Sequence, residues 1–326
     1  MNVVRRRIEA PPETEHYWVR PPQGRAEWLA SRSTYLGASD MPVIAGATSG
    51  TWGSPYALQA EKLGLIERER NPTTEKMMRA GNRMEPLILG DLAHELDVDV
   101  ETFGHTLISK RWPWLGCTPD GIVYPAPGMP GKQTAGDGHT FCQAKNSMGF
   151  ERWEVTSSGK LEPRRVWVQM QAEMAVTGHP WCYVAAMLGG WDFRWARIER
   201  DSAYIEEQLI PAGEVFMAHL ESREMLPVDW AEATTKALAS IYPEPAEPRA
   251  TVTLPAQMID DDERFESLKA EAKGLAQEMD TIRNRVRDEM GTAYRAEVPG
   301  SSAYWLWSGG ARGRRLVRYP GKDGDT

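Results

Sequence analysis

Two runs of strand-forming residues, WCYVAAML and WDFRWARIER, meet at Gly189-Gly190, and this junction constrains the fold more than any other feature of the chain. A Gly-Gly step tolerates the positive φ values that a tight hairpin demands. Just upstream, residues 163–177 carry Val166, Met170, Met174 and Val176 on one helical face, with Pro163 suited to a first turn. Just downstream, residues 201–224 read as a helix opened by Asp201 or Ser202. Helix, hairpin and helix in this order predict an α/β domain: a small central sheet with helices on both faces.

The rest of the chain extends that plan. Residues 25–32 predict a short helix anchored by Trp28 and Leu29, and Asp40 is placed to cap a turn over Met41–Ala45. Ser54-Pro55 opens a helix that Gly64 stops, and 73–96 is the longest early helix. Residues 98–109 read as one strand, WPWLGCTPDGIVY as strand, turn and strand, and 125–138 as a Pro/Gly-rich hairpin loop. In HTFCQAK, period-2 alternation sets Phe141 and Gln143 on the face opposite Cys142. The expected divisions are a flexible arm over 1–24, a core over 25–241, a linker over 242–250 with three prolines in nine residues, and an accessory module over 251–326. In that module, 258–290 is a long charged helix. Phe265, Leu268, Leu275, Met279, Ile282 and Val286 form a narrow seam suited to a helical hairpin or coiled coil. A β unit over 293–318 follows. Its Trp305, Trp307 and arginines 312, 314, 315 and 318 could stack on bases and meet phosphates; the alternative is that the tryptophans form the module's own core.

Composition removes several classes of function. Cys117, Cys142 and Cys182 are odd in number and far apart, which argues against a disulfide framework and an iron–sulfur cluster. The six histidines show no HExxH spacing, so zinc is not expected. No stretch approaches the roughly 18 apolar residues of a membrane span, and the N-terminus lacks the apolar run of a signal peptide, so a cytoplasmic protein is expected. A net charge of −8 weighs mildly against a sequence-specific DNA-binding module. It is compatible with an enzyme that meets phosphate through a metal ion.

The chemistry-bearing constellation is Pro119-Asp120-Gly121 followed by Gln143-Ala144-Lys145. Alone, PDG is a common turn. With its neighbours, it resembles the lambda-type exonucleases and YqaJ-like viral recombinases of the PD-(D/E)xK nuclease superfamily. The supporting segments are EWLASRSTYLGASDMPVIAG, GNRMEP, LGCTPDGIVY, VWVQMQAEMAVTG and the strand pair before IERDSAY, in order over residues 25–222. The resemblance implies a restriction-endonuclease-like core with a small central mixed sheet flanked by helices, to which this chain adds a C-terminal helix and small β appendage.

The same resemblance implies the site. Asp120, the residue at 143 and the Ala144 backbone carbonyl would bind Mg²⁺, or Mn²⁺ in its place, since such hard ions take oxygen ligands. Lys145 would be the catalytic lysine, Glu85 would help organise the metal region, and Gln169 would contact metal-bound water or the terminal nucleotide. Arg32 and Ser39, with Gln171, would form the pocket for a 5′-phosphate; a guanidinium fork beside a hydroxyl suits that dianion. Plainer roles stand beside these: a solvated helix acid for Glu85, polar helix positions for Gln169 and Gln171, an ion pair for Arg32, a helix cap for Ser39 and a solvated strand lysine for Lys145.

Position 143 departs from the pattern, which has Glu or Asp there. Gln keeps the shape but offers one neutral oxygen where a carboxylate has two charged ones. Three readings follow: an introduced isosteric exchange, which is favoured, a naturally weakened relative, or an acid supplied from elsewhere. No Asp or Glu lies between His139 and Ser147, and Glu151 and Glu154 are poor substitutes. By resemblance, the expected activity is 5′→3′ exonucleolytic digestion of linear duplex DNA, leaving 3′ single strands for phage-type recombination. A homotrimeric ring and a single-strand-annealing partner are implied with it. The alternatives are a PD-(D/E)xK endonuclease and a non-catalytic protein that binds DNA ends.

Overall fold

In a computed structural model of the chain, Gly189 and Gly190 adopt φ values of +59° and +84° and turn Trp181–Leu188 back onto Asp192–Glu199. The structure describes residues 14–21, 34–48, 53–67, 72–124, 139–148, 152–244, 251–310 and 313–320. The expected helix over 25–32 and loop over 125–138 lie outside these. The chain divides into two units, 1–244 and 245–326.

The first unit contains strands β1 Tyr17–Arg20, β2 Leu36–Gly37, β3 Asp99–Thr102, β4 Thr106–Ser109, β5 Leu115–Cys117, β6 Gly121–Tyr124, β7 Thr140–Ser147, β8 Glu154–Val155, β9 Leu161–Glu162, β10 Trp181–Leu188 and β11 Asp192–Glu199. Its helices are α1 Met41–Ile44, α2 Pro55–Lys62, α3 Pro72–Leu96, α4 Arg164–Thr177, α5 Ile210–Ser222, preceded by a helical turn Ser202–Tyr204 and a π-helical segment Ile205–Leu209, and α6 Glu232–Ile241. A five-stranded mixed sheet runs β11-β10-β7-β6-β3, with β7 and β10 parallel and the other pairs antiparallel. A second sheet, which the sequence patterns did not reveal, runs β1-β4-β5-β2.

Alternation along the strands builds two cores, one on each face of the five-stranded sheet. Ile122, Phe141, Cys182, Val184 and Ile198 share a cluster with Val166, Met170 and Met174 of α4. Val100, Val123, Cys142, Tyr183 and Ala185 share the other with Ile88, Leu89, Leu92 and Ala93 of α3. Phe141 and Cys142 therefore face opposite ways, as the pattern requires. The whole of β10 is buried, as befits a strand covered on both faces. β11 is an edge strand; its charged side chains pair along it as Asp192–Arg194 and Arg197–Glu199.

Several expectations are corrected. Residues 98–109 are two strands in different sheets. The break comes where the Phe103 amide donates to the Asp120 carbonyl at 2.9 Å and the chain crosses from one sheet to the other. Within the supposed flexible arm, residues 17–20 form a strand paired to β4, with Tyr17 buried in the core. Asp40 sits at the N-cap of α1 but makes no side-chain cap. Its Oδ2 instead accepts from the Gly37 amide at 3.0 Å and pairs with Lys62 Nζ at 3.1 Å. Ser54 does cap α2, accepting from the Ala57 amide at 3.1 Å.

In the second unit, α7 Ile259–Met290 precedes a three-stranded antiparallel sheet of β12 Arg295–Glu297, β13 Tyr304–Gly310 and β14 Gly313–Tyr319. Among the described residues α7 is this unit's single long helix. Phe265, Leu268, Leu275, Met279 and Ile282 are all exposed. Arg314 stacks over Trp307 at 3.8 Å and donates to the carbonyls of Gly291, Ala293 and Trp307, while Tyr304 and Tyr319 stack at 5.0 Å. These contacts give Trp307 and the exposed Arg314 partners within the module itself.

One close approach holds the first unit together at Gly213 of α5. A Cβ there would meet Cη2 of the Trp114 ring at 2.4 Å and Met41 Cε at 3.2 Å. A rigid indole cannot step aside cheaply. Gly213→Ala is therefore expected to lower stability by about 1–3 kcal/mol, read as a fall in denaturation midpoint with an unchanged m-value.

Candidate active site

The site begins with backbone pairing. β6 and β7 are antiparallel with Gly121 opposite Cys142, and the Asp120 amide donates to the Cys142 carbonyl at 3.1 Å. This places Asp120 beside the middle of the QAK tripeptide. The Ala144 amide donates to Asp120 Oδ2 at 2.8 Å and fixes the carboxylate against β7. Gly121 is required for the approach: a Cβ there would come within 2.9 Å of Cys142 Sγ and 3.1 Å of the Glu101 carbonyl.

Gln143 and Lys145 are two residues apart on β7, so both side chains lie on the face packed by α4. Lys145 Nζ donates to Gln143 Oε1 at 3.2 Å and to Gln169 Oε1 on α4 at 3.0 Å. Gln143 Nε2 donates to the Thr118 carbonyl at 3.2 Å. Gln169 Nε2 donates to Oε1 of Glu173 at 2.9 Å, one helical turn further along α4. The result is a continuous chain of contacts, Thr118–Gln143–Lys145–Gln169–Glu173, with Asp120 alongside.

Sequence reasoning missed Glu173. In the sequence only its four-residue spacing from Gln169 sets it apart, and a surface acid would show the same spacing. Here it is 2% exposed, and its Oε2 has no hydrogen-bond partner. A cavity of about 200 Å³ is lined by Asp120, Gln143, Gln169 and Glu173, with Ser39 at its wall.

Negative charge accumulates at this point. Burial pushes the Glu173 carboxyl up to about 8; Lys145 and the Gln169 amide oppose the rise and the Asp120 charge adds to it. Burial, then the charge of Asp120, pushes Glu85 up to about 7 against the pull of Lys145. Asp120 is likewise raised by burial, opposed by Lys145 and by the Ala144 amide. Glu85 is thus electrostatically coupled to Asp120 and Lys145.

Gln171 is fully buried on α4, donates to the Glu199 carbonyl at 2.9 Å and accepts from the Asp201 amide at 2.8 Å. It ties α4 to the end of β11 and lines neither of the cavities that Ser39 borders. Ser39 is brought to the site cavity, whereas Arg32 lies outside the described residues. Ser39 also borders a larger cavity of about 440 Å³, shared with Arg165, Gln169 and Lys236; α6, which contributes Lys236, was not foreseen in the sequence.

An Asp opening one strand and an x-Lys on its antiparallel partner, inside a mixed sheet covered by helices, is similar to the arrangement that the motif resemblance implied, with an amide in the acid's place. Residues 27–180 match the model of the YqaJ-like viral recombinase domain, over most of the stretch that carries the five motifs. The uncharacterized protein YqaJ of Bacillus subtilis (strain 168) is 21% identical over 286 residues, covering 86% of this chain and 83% of that protein. Among solved structures, an alkaline exonuclease (LHK-Exo) from Laribacter hongkongensis is similar with a TM-score of 0.43 and 24% identity, over 61% of this chain and 93% of that one. Its complex with dAMP gives the same TM-score at 22% identity. No helix among the described residues is long and apolar enough to cross a membrane.

The raised Glu173 carboxyl has a consequence for stability. Its folded-state pKa of about 8 exceeds the ordinary 4.5. Its contribution is therefore complete below pH 4.5 and is lost as pH rises toward 8. In chelator, Glu173→Gln is expected to melt higher than the unaltered protein at pH 8, and the gap should close at pH 4.5. A gap independent of pH would contradict this assignment.

Proposed function

We propose that this protein is a divalent-metal-dependent nuclease acting on linear duplex DNA. The observation that carries the reading is Lys145: its ammonium is held by Gln143 and Gln169 on the sheet face beside Asp120. A strand lysine of merely structural use would have no reason to be fixed by two amides next to a cluster of raised carboxyls.

The residues fit a hard divalent cation. Three carboxyls with raised pKa values, Glu85, Asp120 and Glu173, are each electrostatically coupled to the Lys145 ammonium, and a buried carboxylate oxygen among them has no partner. Among the described residues no three His, Cys, Asp or Glu side chains form a ready-made cluster, so the donors include neutral oxygens. Asp120, the Gln143 amide oxygen and the Ala144 carbonyl would hold the ion, with Glu85 adding negative charge behind them. When bound, such an ion polarises phosphoryl oxygens and makes water a better nucleophile.

The chain's own groups supply the remainder. Lys145 presents a fixed donor to a phosphodiester oxygen or to the attacking water. Gln169 sets the direction of that donor. Asp120, anchored by the Ala144 amide, cannot swing away from β7. Ser39, with Arg32, would receive the 5′-phosphate of the digested strand. Polarity from 5′ to 3′, a homotrimeric ring closed around DNA, Mg²⁺ as the physiological ion and an annealing protein as partner follow from the motif resemblance. A ring would keep an acidic protein on its substrate by topology.

The amide at 143 favours a second reading, a protein that binds DNA ends without hydrolysis. One assay separates them. With Mg²⁺, digestion of 5′-phosphorylated linear duplex is expected, with slower digestion of 5′-hydroxyl duplex, none of closed circles and none in chelator. Lys145→Met is expected to reduce the rate by about 10²-fold or more while end binding persists. Binding without any release of nucleotides would favour the second reading, and cutting of closed circles would indicate an endonuclease.

A further inference from the structure

The sequence lacks an acid where the motif places one, and the structure shows an acid that local structure does not need. Gln143 occupies the acid's position on β7. Across the cavity, Glu173 of α4 is 2% exposed among Met170, Ala172 and Met174, all buried. Burying a carboxylate is costly unless it is paired and hydrogen-bonded. Glu173 accepts one well-formed bond, from Gln169 Nε2 to its Oε1, and the Gln143 amide beside it lends further support; Oε2 has no partner, and among the described residues no ion pair closes on it. Lys145, the adjacent cation, spends its contacts on Gln143 and Gln169. Gln143, beside the same carboxylate, turns its Nε2 to the Thr118 carbonyl. A structural role would be met more cheaply by Gln or Met at position 173.

The unpartnered oxygen has a place to act. Glu173, Asp120 and Gln143 line one cavity of about 200 Å³, and Gly37, Ala38 and Gly116, which carry little or no side chain, are among its other lining residues. The space is large enough for an ion and water. The two sides of the cavity have in effect exchanged groups: the amide stands on the strand and the carboxylate on the helix.

We infer that Glu173 supplies the carboxylate ligand missing at position 143, so that the divalent cation is held between Asp120 of the β6–β7 hairpin and Glu173 of α4. The inference rests on the nuclease reading above. It replaces the favoured sequence expectation, an introduced exchange that disables the site, with a relocated acid and an intact site.

The test is Mn²⁺ binding to the full-length protein by isothermal titration calorimetry, with thermal melting as the control for folding. Glu173→Gln is expected to weaken Mn²⁺ binding about tenfold or more while its melting temperature in chelator is maintained or raised. The exchange variant Gln143→Glu/Glu173→Gln returns the acid to the strand. It is expected to bind within about threefold of the unaltered protein, a rescue that a merely structural Glu173 would not give. Asp120→Asn separates the two readings. If it loses Mn²⁺ while Glu173→Gln binds normally, or if the folded exchange variant shows no rescue, the role of Glu173 is overturned and the nuclease reading stands. If the unaltered protein binds Mn²⁺ no better than Asp120→Asn, both fall together.

Discussion

The bond from the Ala144 amide to the Asp120 carboxylate is the contact on which the site depends. It joins the turn before β6 to the middle of β7, and it does so only because the two strands pair with Gly121 opposite Cys142. A slip of one residue would turn Gln143 and Lys145 to the α3 face, into the cluster around Leu89 and Leu92. Register is secured on the other side too, since β7 is flanked by β10 with Ala144 opposite Ala185. The reactive groups thus stand on a strand paired along both edges, where local opening is least frequent.

The α4 helix contributes the second half of the site and illustrates how one helix serves two clients. Gln169 and Glu173, four residues apart, face the sheet's polar patch. Gln171, between them in sequence, points elsewhere and secures the helix to Glu199 and Asp201. Val166, Met170 and Met174 bury the remaining face. The polar residues stand near the cost that a helix core can bear. Glu173 in particular is a buried carboxyl with an unpartnered oxygen, a cost of the kind commonly tolerated at functional sites.

Much of this was legible in the sequence. Gly189-Gly190, the apolar face of 163–177, the long helix over 73–96 and the alternation in FCQAK each express a local period or a local backbone need, and each stands in the structure. What was not legible depends on partners distant along the chain. The continuous strand pattern over 98–109 gives no sign that its halves join different sheets, because β4 is drawn off by β1 and β5. Tyr17 reads as part of a polar arm until β4 buries it. Glu173 looks like any acid on an amphipathic helix; only the cavity beside Gln143 distinguishes it. Asp40 reads as a cap because caps are local, whereas its actual partner, Lys62, lies on another helix.

The edge strand β11 has a consequence for the molecule's company. An unpaired row of amides and carbonyls invites another chain to dock and lengthen the sheet. Along β11 the arginines at 194 and 197, each tethered to a carboxylate on its own strand, put ionic groups at alternate levels of that open margin. Any newcomer would have to strip water from them and match their signs. The five-stranded sheet is in this way terminated by its chemistry on that side, which disfavours edge-to-edge stacking of the sheet whose centre is the long apolar β10.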